Sequence, residues 1–386
     1  MQRERLVSLD VFRGLIIAGM ILVTDPGTYA AVYRPLLHAA WNGWTPTDMI
    51  FPGFLFIIGV SMVLSVASRA RRGDSKGRIA WHVIQRCVLL CVLGLILNGF
   101  PYFNLHTLRI PGILQRIALC YLCGGALYLA TLKKGTGEAK ANIGIIVGVI
   151  VALLAGYWAI LKFYPVPGFG PGRIDSLGNL GAYIDRLIFG TQHMWAYGLT
   201  PGDGVTYDPE GLLSTLPAIA SLLIGILAGE GLRGRQSASR RILKFAAVGV
   251  VLLLAGWLLN PLLPINKRIW TSTFVLFSSG FSFMAFALCY WIVDIRRWRA
   301  WAYPALVLGT NAIFAFALST IITASFDAIQ AHTSSGPVPL HALGYSYIFA
   351  TWLAPIHASL AYAICIVLLN MAMVAPLYRK RIFLRI

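Results

Sequence analysis

The sequence predicts an all-α, polytopic membrane protein, built as a bundle of about ten transmembrane helices. Of its 386 residues, 58% are apolar and 12% are charged, whereas soluble domains have roughly 45–50% apolar and about 25% charged residues. The apolar residues form long runs, and a hydrocarbon core about 30 Å thick needs roughly 20 of them per helix. These observations exclude a disordered chain, a coiled coil and a soluble two-domain enzyme.

Ten apolar runs match this requirement, and short clusters of Gly, Pro and charged residues separate them. We therefore treat the chain, 1–386, as a single transmembrane domain with a long loop at about 164–211. A loop of that length is usually functional or carries structure of its own. The predicted spans are 9–25, 50–68, 79–99, 111–132, 143–163, 212–230, 243–262, 270–292, 302–325 and 346–376.

The placement of Lys and Arg predicts the orientation of the chain. The formal charge is +18, from 32 Lys and Arg against 14 Asp and Glu; 22 of the cations lie on one side of the predicted spans, 6 lie on the other and 4 lie within spans. Cytoplasmic loops carry the excess of Lys and Arg, so both termini are expected in the cytoplasm. The opposite side is called the far side here, and its segments are 26–49, 100–110, 164–211, 261–269 and 326–345.

The positive charge does not predict nucleic-acid binding. The cations are clustered between apolar runs, and no basic face carries interleaved aromatic residues for base stacking. The first apolar run ends at Thr24 without a small-residue cleavage site, so we expect a retained helix rather than a signal peptide. All six cysteines lie inside apolar stretches and are expected to be free thiols.

One far-side segment is dense in polar and aromatic groups. It contains His38, Asn42 and Asp48 together with Trp41 and Trp44, directly before the second predicted span. One interpretation is an interfacial belt, in which the indoles lie at headgroup level and Asp48 caps the helix. The other is a reaction site, because an imidazole exchanges protons near neutral pH. The sequence leaves both interpretations open.

Four cations lie within predicted spans, where each costs about 2.5–3.5 kcal/mol to insert and needs a partner or a wet cavity. Lys162 lies at a helix end and is expected to snorkel. Arg13 and Arg86 lie toward the cytoplasmic side and are candidates for phosphate contact, since no carboxylate is expected one helical turn away. Arg116 follows Gln115 near the far end of the fourth span; interhelical pairing is the alternative for each Arg.

Asp208 and Glu210 precede the sixth predicted span, and their expected role is helix capping rather than catalysis. No metal site is predicted, because metal-ligand spacing is absent among His106, His193, His332, His341 and His357. The sequence also lacks a Walker A motif, a Rossmann glycine fingerprint and a Gly-x-Ser-x-Gly elbow.

Several blocks, in the same order along residues 8 to about 275, resemble the heparan-alpha-glucosaminide N-acetyltransferase family and its bacterial relatives. Such a series of blocks is far more specific than any single motif. The blocks are Ser8-Leu-Asp-Val-Phe-Arg-Gly14, His38-Ala-Ala-Trp-Asn-Gly43 with Asp48-Met-Ile-Phe-Pro52, Arg109-Ile-Pro-Gly-Ile-Leu-Gln-Arg116, Tyr207-Asp-Pro-Glu-Gly211 and Asn266-Lys-Arg-Ile-Trp270.

The resemblance implies an acetyl-CoA-dependent N-acetyltransferase in the bacterial inner membrane. The family takes the acetyl group of cytoplasmic acetyl-CoA and passes it to a glucosamine amine on the far side, using a far-side histidine. By its position in the His-Ala-x-Trp-Asn-Gly block, that histidine is His38. The partners implied are acetyl-CoA, a glucosamine-type saccharide and the lipid bilayer, with a possible homodimer. The implied mechanism is either general-base catalysis or a transient acetyl-histidine.

Further site residues follow as expectations from this assignment. Asp48 or Asp25 would orient the imidazole, although the family has Asn at position 25 and this sequence has Asp. Asn42 or Arg116 would stabilise the oxyanion. Acetyl-CoA is expected to contact Arg13, Arg86, Arg116 and Gln115.

An alternative from another class is a transporter of amino sugars or another small solute, with His38 and the buried arginines as its translocation site. A purely structural membrane subunit is disfavoured by the cost of so many buried polar groups.

Overall fold

A computed structural model describes residues 6–132, 140–234, 236–333 and 336–384, and in these ranges the predicted all-α class is confirmed. The described helices are α1 (Val7–Thr24), α2 (Ile50–Arg71), α3 (Lys76–Gly99), α4 (Ile113–Thr131), α5 (Ile143–Phe163), α6 (Leu180–Phe189), α7 (Thr215–Arg233), α8 (Ala238–Leu258), α9 (Ser272–Tyr290), α10 (Tyr303–Thr310), α11 (Ala312–Ala328), α12 (Leu340–Leu343) and α13 (Pro355–Arg379). Two antiparallel hairpins pair β1 (Leu199–Thr200) with β2 (Gly204–Val205) and β3 (Gln330–Thr333) with β4 (Gly336–Pro339).

The polytopic architecture is also confirmed. Within the described ranges, nine helices are long and apolar enough to cross a membrane, and the number is ten when the bent pair α10 and α11 is counted as one broken span. Two predicted spans were wrong in detail. The span at 302–325 is broken at Asn311 by a bend of 77°, and the span at 346–376 begins only at Pro355, because a wide π-helical turn occupies 344–349.

The orientation remains a prediction. Six of the cations counted for it, Arg3, Arg5, Lys133, Lys134, Arg235 and Arg385, lie outside the described residues.

The core of the bundle depends on glycines at helix crossings. A Cβ at Gly225 of α7 would lie 2.1 Å from the Phe56 carbonyl oxygen of α2, so these two backbones touch. A Cβ at Gly229 would also meet α2, at the side chain of Val63. Gly148 of α5 has open space instead, with nothing within 4 Å of an added Cβ. Of the Gly-x-x-x-Gly pairs in α5 (Gly144 and Gly148) and α7 (Gly225 and Gly229), the one in α7 therefore serves close packing.

The long far-side loop has structure of its own, as its length predicts. It contains α6 and the β1–β2 hairpin. Arg186 of α6 ties the loop together, since it donates to the carbonyl oxygens of Thr206 (2.7 Å) and Leu177 (2.9 Å). This loop packs beside the segment that carries His38: Trp41 Nε1 donates to the Ile174 carbonyl oxygen (2.8 Å).

Candidate active site

His38 and Asp48 form a hydrogen-bonded pair on the far side, before α2. His38 Nδ1 lies 2.7 Å from Asp48 Oδ1. The other oxygen, Oδ2, accepts from the backbone N–H groups of Ala39 (3.1 Å) and Thr45 (2.9 Å). The Asp48 side chain is 1% exposed and that of His38 is 35% exposed. A buried carboxylate therefore holds an imidazole that a solute can reach.

Asp48 also completes a capping box with Thr45, at the short helical turn Pro46–Met49 that leads into α2. The capping interpretation and the reaction-site interpretation thus describe the same carboxylate. Because Nδ1 carries its proton toward Asp48, Nε2 is the nitrogen left with a lone pair. That arrangement suits a proton acceptor or a nucleophile.

A third residue, Lys267, belongs to this cluster and was missed in the sequence. Its Nζ lies 3.0 Å from His38 Nδ1, 3.3 Å from His38 Nε2 and 3.7 Å from Asp48 Oδ1. Burial lowers the pKa of Lys267 to about 8. Burial, and next the charge of Lys267, lower the pKa of His38 below its ordinary value. The signal was the block Asn266-Lys-Arg-Ile-Trp270, in which this lysine counted only as a far-side charge.

The loop between α8 and α9 positions Lys267, and it is joined to the His38 segment by two hydrogen bonds. Gly43 N–H donates to the Ile265 carbonyl oxygen (2.7 Å), and Asn266 Nδ2 donates to Asn42 Oδ1 (3.0 Å). Asn266 is fully buried and accepts the Ile269 N–H on its own Oδ1 (3.1 Å). Asn42 is therefore held by a buried neighbour in the Lys267 loop, and the residue itself is exposed.

Of the two carboxylates expected to orient the imidazole, Asp48 bonds His38, whereas Asp25 bonds groups of α11. Its carboxylate follows the end of α1 and accepts hydrogen bonds from α11, from Thr323 Oγ1 (2.7 Å) and Ser319 Oγ (3.4 Å). The residue is 6% exposed, and burial raises its pKa to about 6. It is a separate buried carboxyl group.

Arg116 lies in the first turn of α4, on the far side, and it is fully buried. Its Nη2 donates to the Gly211 carbonyl oxygen (3.0 Å) and to Ser214 Oγ, and its guanidinium lies over the Trp270 ring at 5.1 Å. Trp270 belongs to the same loop as Lys267. Arg116 therefore packs against the loop that carries Lys267, and the contact of Arg116 and Gln115 with acetyl-CoA stays a prediction. Among the described residues, Arg116 Nε and Nη1 and Gln115 Nε2 have no hydrogen-bond partner.

The capping role expected for Asp208 and Glu210 was wrong, because α7 begins only at Thr215. Both carboxylates bind Arg109 instead. Its Nη2 lies 2.6 Å from Asp208 Oδ1 and 2.6 Å from Glu210 Oε2, and its Nε donates to Asp208 Oδ2 (2.9 Å). Since Arg109 lies just before α4, this ion cluster connects two far-side segments near the site.

Arg13 and Arg86, the two candidates for phosphate contact, differ in their surroundings. Arg13 Nη1 lies 3.3 Å from Asp10 Oδ1 and from the Gly309 carbonyl oxygen, and Nη2 donates to Ser61 Oγ (2.7 Å). The premise that no carboxylate lies one turn away was therefore wrong for Arg13. Arg86 lies over the Tyr121 ring (4.7 Å), and within the described ranges its Nε has no partner.

The remaining expectations concern smaller features. The six cysteines are free, as expected. Lys162 is exposed near the end of α5, which fits snorkelling. In the part of the chain that the structure describes, no three His, Cys, Asp or Glu side chains are grouped as metal ligands.

Comparison with known proteins adds to this geometry. The family model described as heparan-alpha-glucosaminide N-acetyltransferase, catalytic, matches residues 5–258. The chain is 31% identical to the human protein named heparan-alpha-glucosaminide N-acetyltransferase over 350 residues, which cover 81% of this chain and 52% of the human protein. The mouse protein of that name is 30% identical over 351 residues, or 81% of this chain and 53% of the mouse protein. The chain spans about half the length of these relatives.

A more distant match is an uncharacterized 39.9 kDa protein from Bacillus acidopullulyticus, 27% identical over 197 residues, or 48% of this chain and 51% of that protein. The family model covers the blocks noted in the sequence except the one at 266–270. The chain belongs to the heparan-alpha-glucosaminide N-acetyltransferase family.

Proposed function

We propose that this protein is a transmembrane acetyltransferase that moves the acetyl group of cytoplasmic acetyl-CoA to the amine of a glucosamine-type sugar on the far side. The observation that carries the proposal is the His38–Asp48 pair, in which an exposed imidazole is held by a buried carboxylate in the motif that the family resemblance singled out. The names of the mammalian relatives support the substrate class.

His38 Nε2 serves as the general base. The amine nitrogen attacks the thioester carbonyl, the C–N bond forms and the C–S bond breaks. The amine proton passes to Nε2 and then to the departing CoA thiolate, so the imidazole ends neutral again. A positioned general base is typically worth 10²–10⁴-fold in rate. In the alternative, Nε2 itself attacks the carbonyl, and the acetyl group passes to the amine in a second step.

Other residues are assigned to the two ends of the path. Asn42, oriented by Asn266, is a donor candidate for the oxyanion beside His38. On the cytoplasmic side, Arg86 is the stronger candidate for a CoA phosphate contact, because its guanidinium is bound by a ring rather than by a carboxylate. Arg13 remains a candidate, although Asp10, Ser61 and Gly309 already bind it.

The test is the variant His38→Ala, assayed with radiolabelled acetyl-CoA and glucosamine. We expect acetyl transfer to fall by at least about 10²-fold, while thermal stability and acetyl-CoA affinity measured by calorimetry stay near wild type. His106→Ala, another exposed far-side histidine, is the matched control and should keep full activity.

Turnover within a few-fold of wild type in a well-folded His38→Ala variant would contradict the proposal. The transporter alternative would then move ahead, and it requires solute uptake into proteoliposomes in the absence of acetyl-CoA. A labelled acetyl group on His38, found by peptide mass spectrometry without any acceptor sugar, would favour the acetyl-histidine route over the general base.

A further inference from the structure

We propose that Lys267 is a positioning residue for acetyl transfer: its ammonium group keeps the imidazole of His38 neutral, and so able to accept a proton, against the opposing charge of Asp48. The effect of Lys267 on acetyl transfer rests on the proposed function. The interaction between Lys267 and His38 can be tested without it.

The first support is the geometry of the amine. Lys267 Nζ is nearly equidistant from the two ring nitrogens of His38, at 3.0 Å from Nδ1 and 3.3 Å from Nε2. Nδ1 already faces Asp48 Oδ1 at 2.7 Å. An amine in this place acts on the ring as a nearby charge rather than as a directed donor. The positive charge of Lys267 destabilises the imidazolium form of His38.

The second support is the set of charges around the ring. Asp48 stabilises the protonated imidazole, whereas Lys267 and, more weakly, Arg268 destabilise it. Lys267 itself faces Asp48, Glu210 and Arg268. An isolated Asp–His pair has a raised imidazole pKa, because the carboxylate favours the cation. Here burial and Lys267 outweigh the carboxylate, and the pKa of His38 is lowered.

The third support is that the surrounding structure holds Lys267 in place beside His38. The Lys267 side chain is 15% exposed, so the surrounding structure restricts it. Its loop is anchored to the His38 segment through Asn266 and Ile265, and to α5 by Tyr157, whose hydroxyl donates to the Ile269 carbonyl oxygen (2.5 Å). These hydrogen bonds fix the loop, and with it the position of Lys267 beside His38.

The experiment measures the protonation of His38 directly. Diethyl pyrocarbonate acylates only the unprotonated imidazole, so the rate of His38 labelling against pH, followed by peptide mass spectrometry, reports its pKa without acetyl-CoA or sugar. We compare the wild type with Lys267→Met and Lys267→Gln, which remove the charge, and with Lys267→Arg, which keeps it. Lys162→Met is the matched control, an exposed lysine at the end of α5.

We expect the labelling midpoint of His38 to rise by about one pH unit in Lys267→Met and Lys267→Gln, and to stay near wild type in Lys267→Arg and Lys162→Met. The acid limb of kcat/KM for acetyl transfer should rise by the same amount, so that activity lost at pH 6 returns at higher pH. An unchanged labelling midpoint in both neutral variants overturns the inference, as does an equal loss of activity at every pH without a shift of the midpoint. A shifted midpoint in a protein without acetyltransferase activity would refute the proposed function and leave the Lys267–His38 interaction standing.

Discussion

Asp48 shows how one side chain can satisfy local and tertiary requirements at once. Its Oδ2 accepts the Thr45 N–H at the start of a helical turn, and its Oδ1 faces the imidazole ten positions earlier in the chain. A helix cap is worth roughly 1 kcal/mol, so this carboxylate would be retained for stability alone. Its second oxygen then becomes available to orient His38 with little additional ordering.

Asp25 leads to a prediction about stability against pH. Burial raises its pKa from the ordinary 3.8 to about 6, so the folded protein holds this proton more tightly than the unfolded chain does. The neutral Asp25 carboxyl group therefore contributes to the free energy of unfolding. This contribution is fully present below pH 3.8 and is lost as pH rises through about 6. The largest size of the effect is about 3 kcal/mol. Asp25→Asn should remove this pH dependence.

The measurement is the thermal unfolding midpoint in one detergent between pH 4 and pH 7.5, expressed as wild type minus variant. That difference should decline as pH rises, because the wild type alone acquires the buried charge. Asp175→Asn is the control, because its side chain is 42% exposed and pairs with Arg173; its difference should not decline as pH rises. A difference for Asp25→Asn that does not decline either would show that the carboxyl group is not buried in the folded protein.

At the scale of elements, α10 packs directly on α1 next to the break between α10 and α11. A Cβ at Gly14 would lie 1.8 Å from the Ala305 carbonyl oxygen, and one at Gly309 would lie 1.9 Å from the Asp10 carbonyl oxygen. The two backbones touch, and Arg13 donates to the Gly309 carbonyl oxygen beside the break (3.3 Å). The polar Arg13 side chain thereby satisfies a carbonyl group near an interrupted helix end.

Gly14→Ala should therefore destabilise the protein, by about 1–3 kcal/mol or more, since neither backbone can move without disturbing the bundle. Gly148→Ala is the matched control on a membrane helix, because a Cβ there meets nothing within 4 Å. That variant should be neutral or slightly stabilising. The thermal unfolding midpoints of the two variants, measured in the same detergent, test this difference in stability. Equal midpoints would contradict the close approach of α1 and α10.

At the scale of the whole molecule, the proposed reaction requires two distinct faces. The charge distribution predicts that the α2–α3 turn is cytoplasmic and that His38 and the loop at 164–211 are on the far side. The structure brings these two segments together, since Trp41 Nε1 donates to the Ile174 carbonyl oxygen (2.8 Å).

Single cysteines in a cysteine-free background test the orientation in intact cells. Arg173→Cys, at a side chain that is 46% exposed, should react with a membrane-impermeant thiol reagent from outside the inner membrane. Arg72→Cys, which is exposed in the α2–α3 turn, should react only after lysis. The reverse pattern would place His38 on the cytoplasmic side and remove the need for transfer across the membrane.

The sequence by itself determined the features that depend on short stretches of chain. Apolar runs predicted the spans, because crossing the bilayer is a requirement on each helix separately. The pairing of His38 with Asp48 could also be predicted from the sequence, because the two residues are only ten positions apart. The resemblance predicted the family for the same reason, through blocks of neighbouring residues.

Only the tertiary structure decided which distant groups meet. Lys267 reaches His38 across 229 positions, and Asp25 meets Thr323 across 298. Arg109 binds Asp208 across 99 positions, where local reasoning expected a helix cap. The physical reason is that hydropathy and capping depend on neighbours along the chain, whereas these contacts depend on how far-side loops are brought together by helices whose crossings are set by glycines at close backbone approaches.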